Sequence, residues 1–284
     1  ARSIAGRSRA PMLRAKSAFC VAASFMSTLG EECPGGRLRV VLVRHGESMN
    51  NIHEAKGWEA YVKGRSADPD LSPRGYAQAQ LLGSWLGSAK AAPLGLDKLT
   101  ELWVSPHRRT LLTMSPLAAA TGLAPRVTSD IFEAGGIYDA NDDYTVFTAR
   151  GGLTRDEMSA EFPSYVLPDD VTDSGWYRGP GKETDDECRE RAKLVAERLR
   201  DKAKRLEADE QLVLVVHYDF INALLDALLL PATTGPFDRW KLWNTGITVF
   251  DLDARAPDPA LLAINAIPHI LQADDPHLVS GFNL

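Results

Sequence analysis

Cysteine is scarce in this chain: its 284 residues hold three, Cys20, Cys33 and Cys188. They are too few and too scattered for a disulfide framework, and none forms a C-x-x-C pair, which points to a reducing compartment or indifference to redox. The six histidines show no H-x-x-x-H spacing and no Cys/His cluster, so a metal enzyme is not indicated and no cofactor is expected. With a net charge of −6 and no run of five or more Lys/Arg, the electrostatic footprint of a general nucleic-acid binder is missing, and any anion must be bound locally. No apolar run approaches the roughly 20 residues that span a bilayer. The longest are short segments such as Leu212 to Val216, so a soluble folded part with no membrane partner is expected.

Acid is missing from the first thirty residues. Arg2, Arg7, Arg9, Arg14 and Lys16 stand among Ala and Ser, and Glu31 is the first carboxylate. A basic, Ser-rich, acid-poor leader over residues 1–36 has the composition of an organellar transit peptide, for chloroplast or mitochondrion. The alternatives are a disordered basic leader, or upstream sequence before a start at Met12 or Met26, with a cytoplasmic protein following.

The whole chain is 44% hydrophobic, enough for what remains, residues 37–284, to bury one large α/β core. Strand signals occur at Leu38 to Val43, Glu101 to Val104, Gln211 to Val216 and Gly246 to Leu252, with a weaker one at Leu261 to Ile267. Helical periodicities lie between them, and this alternation predicts a three-layer α/β/α sandwich around a mostly parallel sheet. Ser72-Pro73 and Ser105-Pro106 each place a capping hydroxyl before a proline at the first helical position. After Ser72 the stripe is Ala77, Leu81, Leu82, Trp85 and Leu86. After Glu187 it is Cys188, Ala192, Val195, Leu199, Ala203 and Leu206. Another helix follows His217 and is stopped by Pro231. Residues 134–182 are rich in Gly, Asp, Pro and aromatics, with a short helical stretch near Arg155 to Glu161. So long an irregular insertion suggests a lid that selects substrate.

The chemistry gathers at strand ends. The run from Leu38 ends in Arg44-His45-Gly46-Glu47-Ser48, and a second buried strand ends at His217. In a parallel sheet both imidazoles reach the same edge, where open α/β sheets bind ligands. A third strand ends at Val104 and leads through Ser105 to Arg108 and Arg109 in the first turn of a helix. Helix N-termini attract anions and the guanidinium fork matches phosphate oxygens, so the edge suits a phosphoryl group.

These residues resemble the histidine phosphatase superfamily, which includes phosphoglycerate mutases and acid phosphatases. The hallmark Arg-His-Gly-Glu-Ser-x-x-Asn matches Arg44, His45, Gly46, Glu47, Ser48 and Asn51. A second pattern matches Asp68, Leu71, Ser72, Gly75, Gln78 and Ala79, and a third matches Ser105, Arg109 and Thr113. Three positions depart from the family: His107 stands where leucine is usual, Thr110 where alanine is usual, and Tyr218 where glycine commonly follows the histidine. The resemblance implies a phosphoglycerate mutase-like fold and His45 as a neutral nucleophile that forms a phosphohistidine. Arg44, Arg109 and His217 would hold the phosphoryl oxygens, with Arg108 as the alternative to Arg109. Glu133, after the apolar Ile131-Phe132 pair, is the expected general acid and base. Ser48, Asn51 and Tyr218 are expected substrate contacts, Ser48 and Asn51 doubling as turn caps. Trp176, Tyr177, Arg178 and Lys182 either touch substrate or anchor their loop, Glu183-Thr184 is expected to cap a helix, and His53, His107, His269 and His277 are read as ordinary.

The expected activity is metal-independent hydrolysis of a small phosphate monoester. A mutase that returns the phosphoryl group to a bound sugar acid is one alternative, and a non-catalytic subunit of a larger assembly is another. Asp139, Asp142 and Asp143, soon after Glu133, make the segment acidic where a mutase would hold a doubly anionic substrate, which favours the phosphatase. Oligomeric state is not legible.

Overall fold

The computed structural model describes residues 35–230, 234–256 and 258–281. The basic leader up to residue 34, Cys20, Cys33 and the expected helix stop at Pro231 lie outside the described residues. In chain order the strands are β1 (Arg37–Arg44), β2 (Glu101–Val104), β3 (Arg126–Val127), β4 (Tyr138–Ala140), β5 (Phe147–Ala149), β6 (Glu210–Val216), β7 (Ile247–Asp253) and β8 (Ala260–Ala266). The helices are α1 (Met49–Ala55), α2 (Trp58–Gly64), α3 (Pro73–Leu86), α4 (Arg108–Thr121), α5 (Arg155–Glu161), α6 (Asp185–Lys204), α7 (Tyr218–Leu229) and α8 (Pro268–Leu271).

Six strands form one sheet in the order β3-β2-β6-β1-β7-β8. Only β7 runs against the rest, so the sheet is mostly parallel. Extended backbone points successive side chains to opposite faces, and β1 and β6 are apolar on both. Leu38, Val40, Leu42, Leu212, Leu214 and Val216 pack against α6 and α7. Val41, Val43, Val213 and Val215 pack against α3 and α4. The result is the α/β/α layering expected from the alternating pattern. The stripe after Glu187 is buried at every position named above, Cys188 included, with Leu206 just past the end of α6; Val195, Leu199 and Leu206 each contribute about 1.5–3 kcal/mol by leaving water. In α3 the buried face is rotated slightly, with Ala77 and Leu81 half-buried and Gln78 and Ala79 fully covered.

Register brings the strand ends together. Arg44 pairs with Val216 and Val104 with Val215, so His45, His217 and Ser105 emerge side by side at one edge. The second motif exists to hold the first. Ser72 caps α3 by accepting from the Gly75 N–H at 3.0 Å, with Pro73 opening the helix. Its hydroxyl also donates to Glu47 Oε2 at 2.6 Å, and Gln78 Oε1 accepts from the Glu47 N–H at 2.8 Å. Gly75 is required because the chain crosses there: a Cβ would stand 2.0 Å from the Glu47 carbonyl oxygen.

Two expectations need correction. Ser105 and Pro106 do not open α4, which begins at Arg108 with His107 at the cap position and no capping side chain of its own. Asp68 caps it from a distance instead, accepting from the Arg108 N–H at 3.0 Å, because the Ser105 hydroxyl is engaged by His217. Residues 134–182 also hold more regular structure than one short helix. Besides α5 they form the β4-β5 hairpin, whose turn is closed by Asn141 Oδ1 accepting from the N–H groups of Thr145 and Val146 at 2.8 and 2.9 Å. Among the described residues no helix is long and apolar enough to cross a membrane, and no group of three potential metal ligands is found.

Candidate active site

The sheet edge opens into a cavity of about 590 Å³ lined by Arg44, His45, Ser48, Asn51, Arg109, Glu133 and Tyr218, together with Glu47, Glu54, Tyr61, Arg74, Asp219 and Val279 to Gly281. His217 stands behind them, fully buried, its ring 5.3 Å from that of His45. Arg44, His45, Ser48, Asn51, Arg109, Glu133 and Tyr218 thus share one cavity wall, with His217 behind it.

Two contacts determine the tautomer of His45. Its Nδ1 lies 2.7 Å from the Gly46 carbonyl oxygen, which can only accept, so Nδ1 carries the proton. Its Nε2 lies 3.2 Å from Arg109 Nε, which can only donate. Nε2 therefore carries no proton, and its lone pair, which accepts from Arg109, is the one available to attack an electrophile. Burial holds the imidazole well below the usual histidine range, and the charges of Arg109 and Arg44 push it the same way. Desolvation is the larger cause.

Arg44 is buried at the end of β1. Its Nη1 donates to the Leu242 and Gly281 carbonyls at 2.7 and 2.8 Å, and its guanidinium lies 4.9 Å from the centre of the Tyr218 ring. The choice between neighbouring arginines is clear in the geometry. Arg108 turns outward, ion-paired with Glu161 and 3.6 Å from Asp70, whereas Arg109 faces His45. His217 Nε2 is 2.6 Å from the Ser105 hydroxyl, and burial, with Arg109 beside it, lowers its pKa far below the usual value. A neutral His217 that accepts from Ser105 keeps its proton on Nδ1, which has no protein partner.

Glu133 lines the same cavity. Its Oε1 accepts from the N–H groups of Ala134 and Phe220 at 3.0 and 3.1 Å, and so caps α7, whose own cap residue His217 offers no side chain for the purpose. Burial raises its pKa while Arg109 and the two N–H groups pull it back. The loop that carries it is held by Arg191, which donates to the Asp130 and Phe132 carbonyls at 3.0 Å and pairs with Glu183 at 2.6 Å.

Several residues stand elsewhere than expected. None of residues 134–182 lines the cavity; Tyr138 and Tyr144 pack behind Tyr61 and Arg65 instead. Trp176 and Tyr177 are buried against Phe132, Arg178 bonds its own loop and Lys182 sits over Tyr138 and Phe147, so these four anchor the insertion. Asp139, Asp142 and Asp143 are absent from the cavity wall too, so the acidity that matters belongs to Glu54 and Asp219. Ser48 and Asn51 do line it, while forming the reciprocal cap of α1. Thr184 caps α6 with Glu187 as expected.

Sequence reasoning missed Asp219, two residues after His217, and it misread His107. The latter is buried, its ring 4.7 Å from His217 and 4.9 Å from Trp176, with Nδ1 between Asp68 and Arg109 at 3.3 and 3.2 Å. Its departure from the family's leucine was the available signal. Burial lowers its pKa to about 4. The unfolded histidine titrates near 6.5, so the native state loses stability as pH falls from there towards about 4. His107→Leu removes that loss: the drop in Tm between neutral and mildly acid buffer is expected to be smaller than in the parent chain, as thermal denaturation at both pH values would reveal.

The architecture defines a class: a mostly parallel α/β/α sheet with paired buried histidines and arginines at one edge. A family model of the histidine phosphatase superfamily (branch 1) matches residues 40–265, and the chain belongs to that family. Solved structures share the fold at low identity. A variant of the phosphoserine phosphatase of Entamoeba histolytica, in complex with phosphoserine, is 18% identical with TM-score 0.51, covering 82% of this chain and 99% of its own. A mycobacterial hydrolase is 24% identical with TM-score 0.50, covering 81% and 91%. A mycobacterial glucosyl-3-phosphoglycerate phosphatase is 22% identical with TM-score 0.48, covering 81% and 99%. Comparison with curated proteins finds no match.

Proposed function

We propose that the chain hydrolyses small phosphate monoesters through a phosphohistidine on His45. The observation that carries this reading is the tautomer of that residue: a buried neutral imidazole, its Nδ1 proton tied to Gly46 and its Nε2 lone pair turned to Arg109. Nε2 attacks phosphorus in line. Arg44, Arg109 and the Nδ1–H of His217 take the equatorial oxygens, as fixed donors in a site of lowered dielectric stabilise redistributing charge. Glu133 protonates the leaving oxygen and afterwards takes a proton from water.

Transfer to water, rather than back to a bound sugar acid, is supported by the charges of the wall. Beyond Arg44 and Arg109 the remaining cation is Arg74, which is paired with Glu47 at 2.9 Å. Glu54 and Asp219 bring carboxyl groups rather than cations to the wall, so among the described lining residues a second carboxylate or phosphate on the substrate meets no free counter-charge. Purified chain is expected to release inorganic phosphate from a panel of phosphate esters, and to hydrolyse 3-phosphoglycerate faster than it isomerises it, with or without bisphosphoglycerate. Isomerisation exceeding hydrolysis makes it a mutase, and silence across a broad panel makes it a non-catalytic subunit.

A further inference from the structure

Resting on the reading just given, we infer that His107 is a positioning residue, whose Nδ1 accepts from Arg109 and holds the guanidinium in place for the phosphoryl group. Arg109 carries a buried charge, and such a charge needs hydrogen bonds or a counter-ion. Among the described residues no carboxylate is hydrogen-bonded to it; Glu133 and Asp68 act on it through their charges alone. Two imidazoles orient it instead. Its Nε donates to His45 Nε2 at 3.2 Å, and its Nη1 lies 3.2 Å from His107 Nδ1. Nη2 has no protein partner among the described residues, in a side chain that lines the cavity, so it is the nitrogen left for a phosphoryl oxygen.

Residues two apart on a helix do not face each other. His107 and Arg109 meet because His107 stands outside α4, at the cap position with φ −66° and ψ 139°. Its ring is buried and wedged in place by edge contacts with His217 at 4.7 Å and Trp176 at 4.9 Å, and Thr110 Oγ1 donates to its carbonyl at 2.6 Å. Trp176 belongs to the insertion, which therefore reaches the chemistry through His107 and not through the cavity wall.

Two groups compete for Nδ1. Asp68 Oδ1 stands 3.3 Å away, and it already accepts from the Arg108 N–H at 3.0 Å. The Arg109 guanidinium is always protonated and can only donate, while burial keeps the imidazole neutral. A proton on Nδ1 would confront that donor and leave a buried cation short of an acceptor. The arrangement that avoids this has Nδ1 bare and the proton on Nε2, which has no protein partner. Leucine, the usual residue of the family here, fills space and supplies no acceptor.

The test is a double-mutant cycle in the full chain. His107→Leu is expected to lower kcat/KM for 4-nitrophenyl phosphate by about tenfold, since a misplaced donor loses much of its effect on the transition state. In the Arg109→Ala background the same substitution should cost less than about twofold, because nothing remains to be positioned. His107→Asn, whose side-chain oxygen stands where Nδ1 does, should recover most of the loss. An unchanged His107→Leu, equal losses in both backgrounds, or His107→Asn no better than His107→Leu each overturns the assignment and leaves His107 a packing residue. A parent chain silent on phosphate esters, or His45→Ala as active as the parent, sinks the phosphohistidine reading instead. The coupling is then read from the Kd for inorganic phosphate in the same set of chains: a His107→Leu effect that needs Arg109 supports the assignment, and additive effects overturn it.

Discussion

His45→Ala is expected to lower kcat for phosphate-ester hydrolysis by on the order of 10⁴-fold or more, the scale on which removing an attacking nucleophile acts. The argument is geometric. The lone pair that attacks phosphorus belongs to an imidazole whose other nitrogen is tied to the Gly46 carbonyl at 2.7 Å, so one tautomer is prepared before substrate arrives. Alanine removes the lone pair and leaves Arg44 and Arg109 in place, so binding of inorganic phosphate should survive. Fold is expected to survive as well, since Gly46, Glu47 and Ser48 are held by Thr113, Gln78 and Asn51 rather than by the imidazole. Steady-state kinetics with 4-nitrophenyl phosphate, set beside a phosphate-binding measurement and a circular dichroism spectrum, separates loss of chemistry from loss of structure. Hydrolysis undiminished in this variant would falsify the nucleophile assignment.

Arg109→Ala should cost on the order of 10²- to 10³-fold in kcat/KM, the effect of deleting one donor aimed at transition-state charge. A second consequence distinguishes it from an ordinary binding defect. Arg109 is one of the two cations that hold His45 below its usual pKa, second to burial. Deleting it removes a like charge, so the His45 pKa rises toward its ordinary value. The free enzyme must present a neutral imidazole; the acid limb of kcat/KM therefore moves to higher pH in the variant. Arg109→Lys keeps charge without the fork, so it should retain the acid limb of the parent while losing rate. An Arg109→Ala profile superimposable on the parent's would show that the guanidinium does not act on His45. By contrast, Arg108→Ala should leave the profile unmoved, since that side chain faces Glu161 and Asp70.

Much of this site was legible because its physics is local. A buried strand is an apolar run, β1 and β6 are such runs, and each ends in a histidine; a parallel sheet then does the rest. The Arg-His-Gly-Glu-Ser and Ser-x-x-x-Arg patterns are readable for the same reason, since their spacings are those of a strand end and a first helical turn. What escaped depended on contacts between distant segments. Ser105 reads as a helix cap until His217 competes for its hydroxyl, and Asp68 shows no sign of capping α4 from forty residues away. β3 spans two residues, too few for any periodicity, and exists because Trp103 and Val104 offer it an edge.

The insertion at 134–182 shows the opposite error. Its length and composition suggest a lid, yet its aromatics are consumed in packing on one another and on Phe132, and the cavity wall is completed by α1, Asp219 and the segment Val279 to Gly281. A lone Asp in the first turn of a helix ordinarily favours the dipole, so nothing local marks Asp219 as a member of the cavity. Its place in the cavity wall is visible only after α7 has docked.

Rapid quenching during turnover of a substrate labelled in its phosphoryl group tests the central claim most directly. Phosphohistidine is labile in acid and stable in alkali, and the account predicts label that behaves this way, maps to the peptide containing His45, and accumulates when the base that activates water is crippled by Glu133→Gln. Label found on a serine or a carboxylate, or label persisting in His45→Ala, would contradict it.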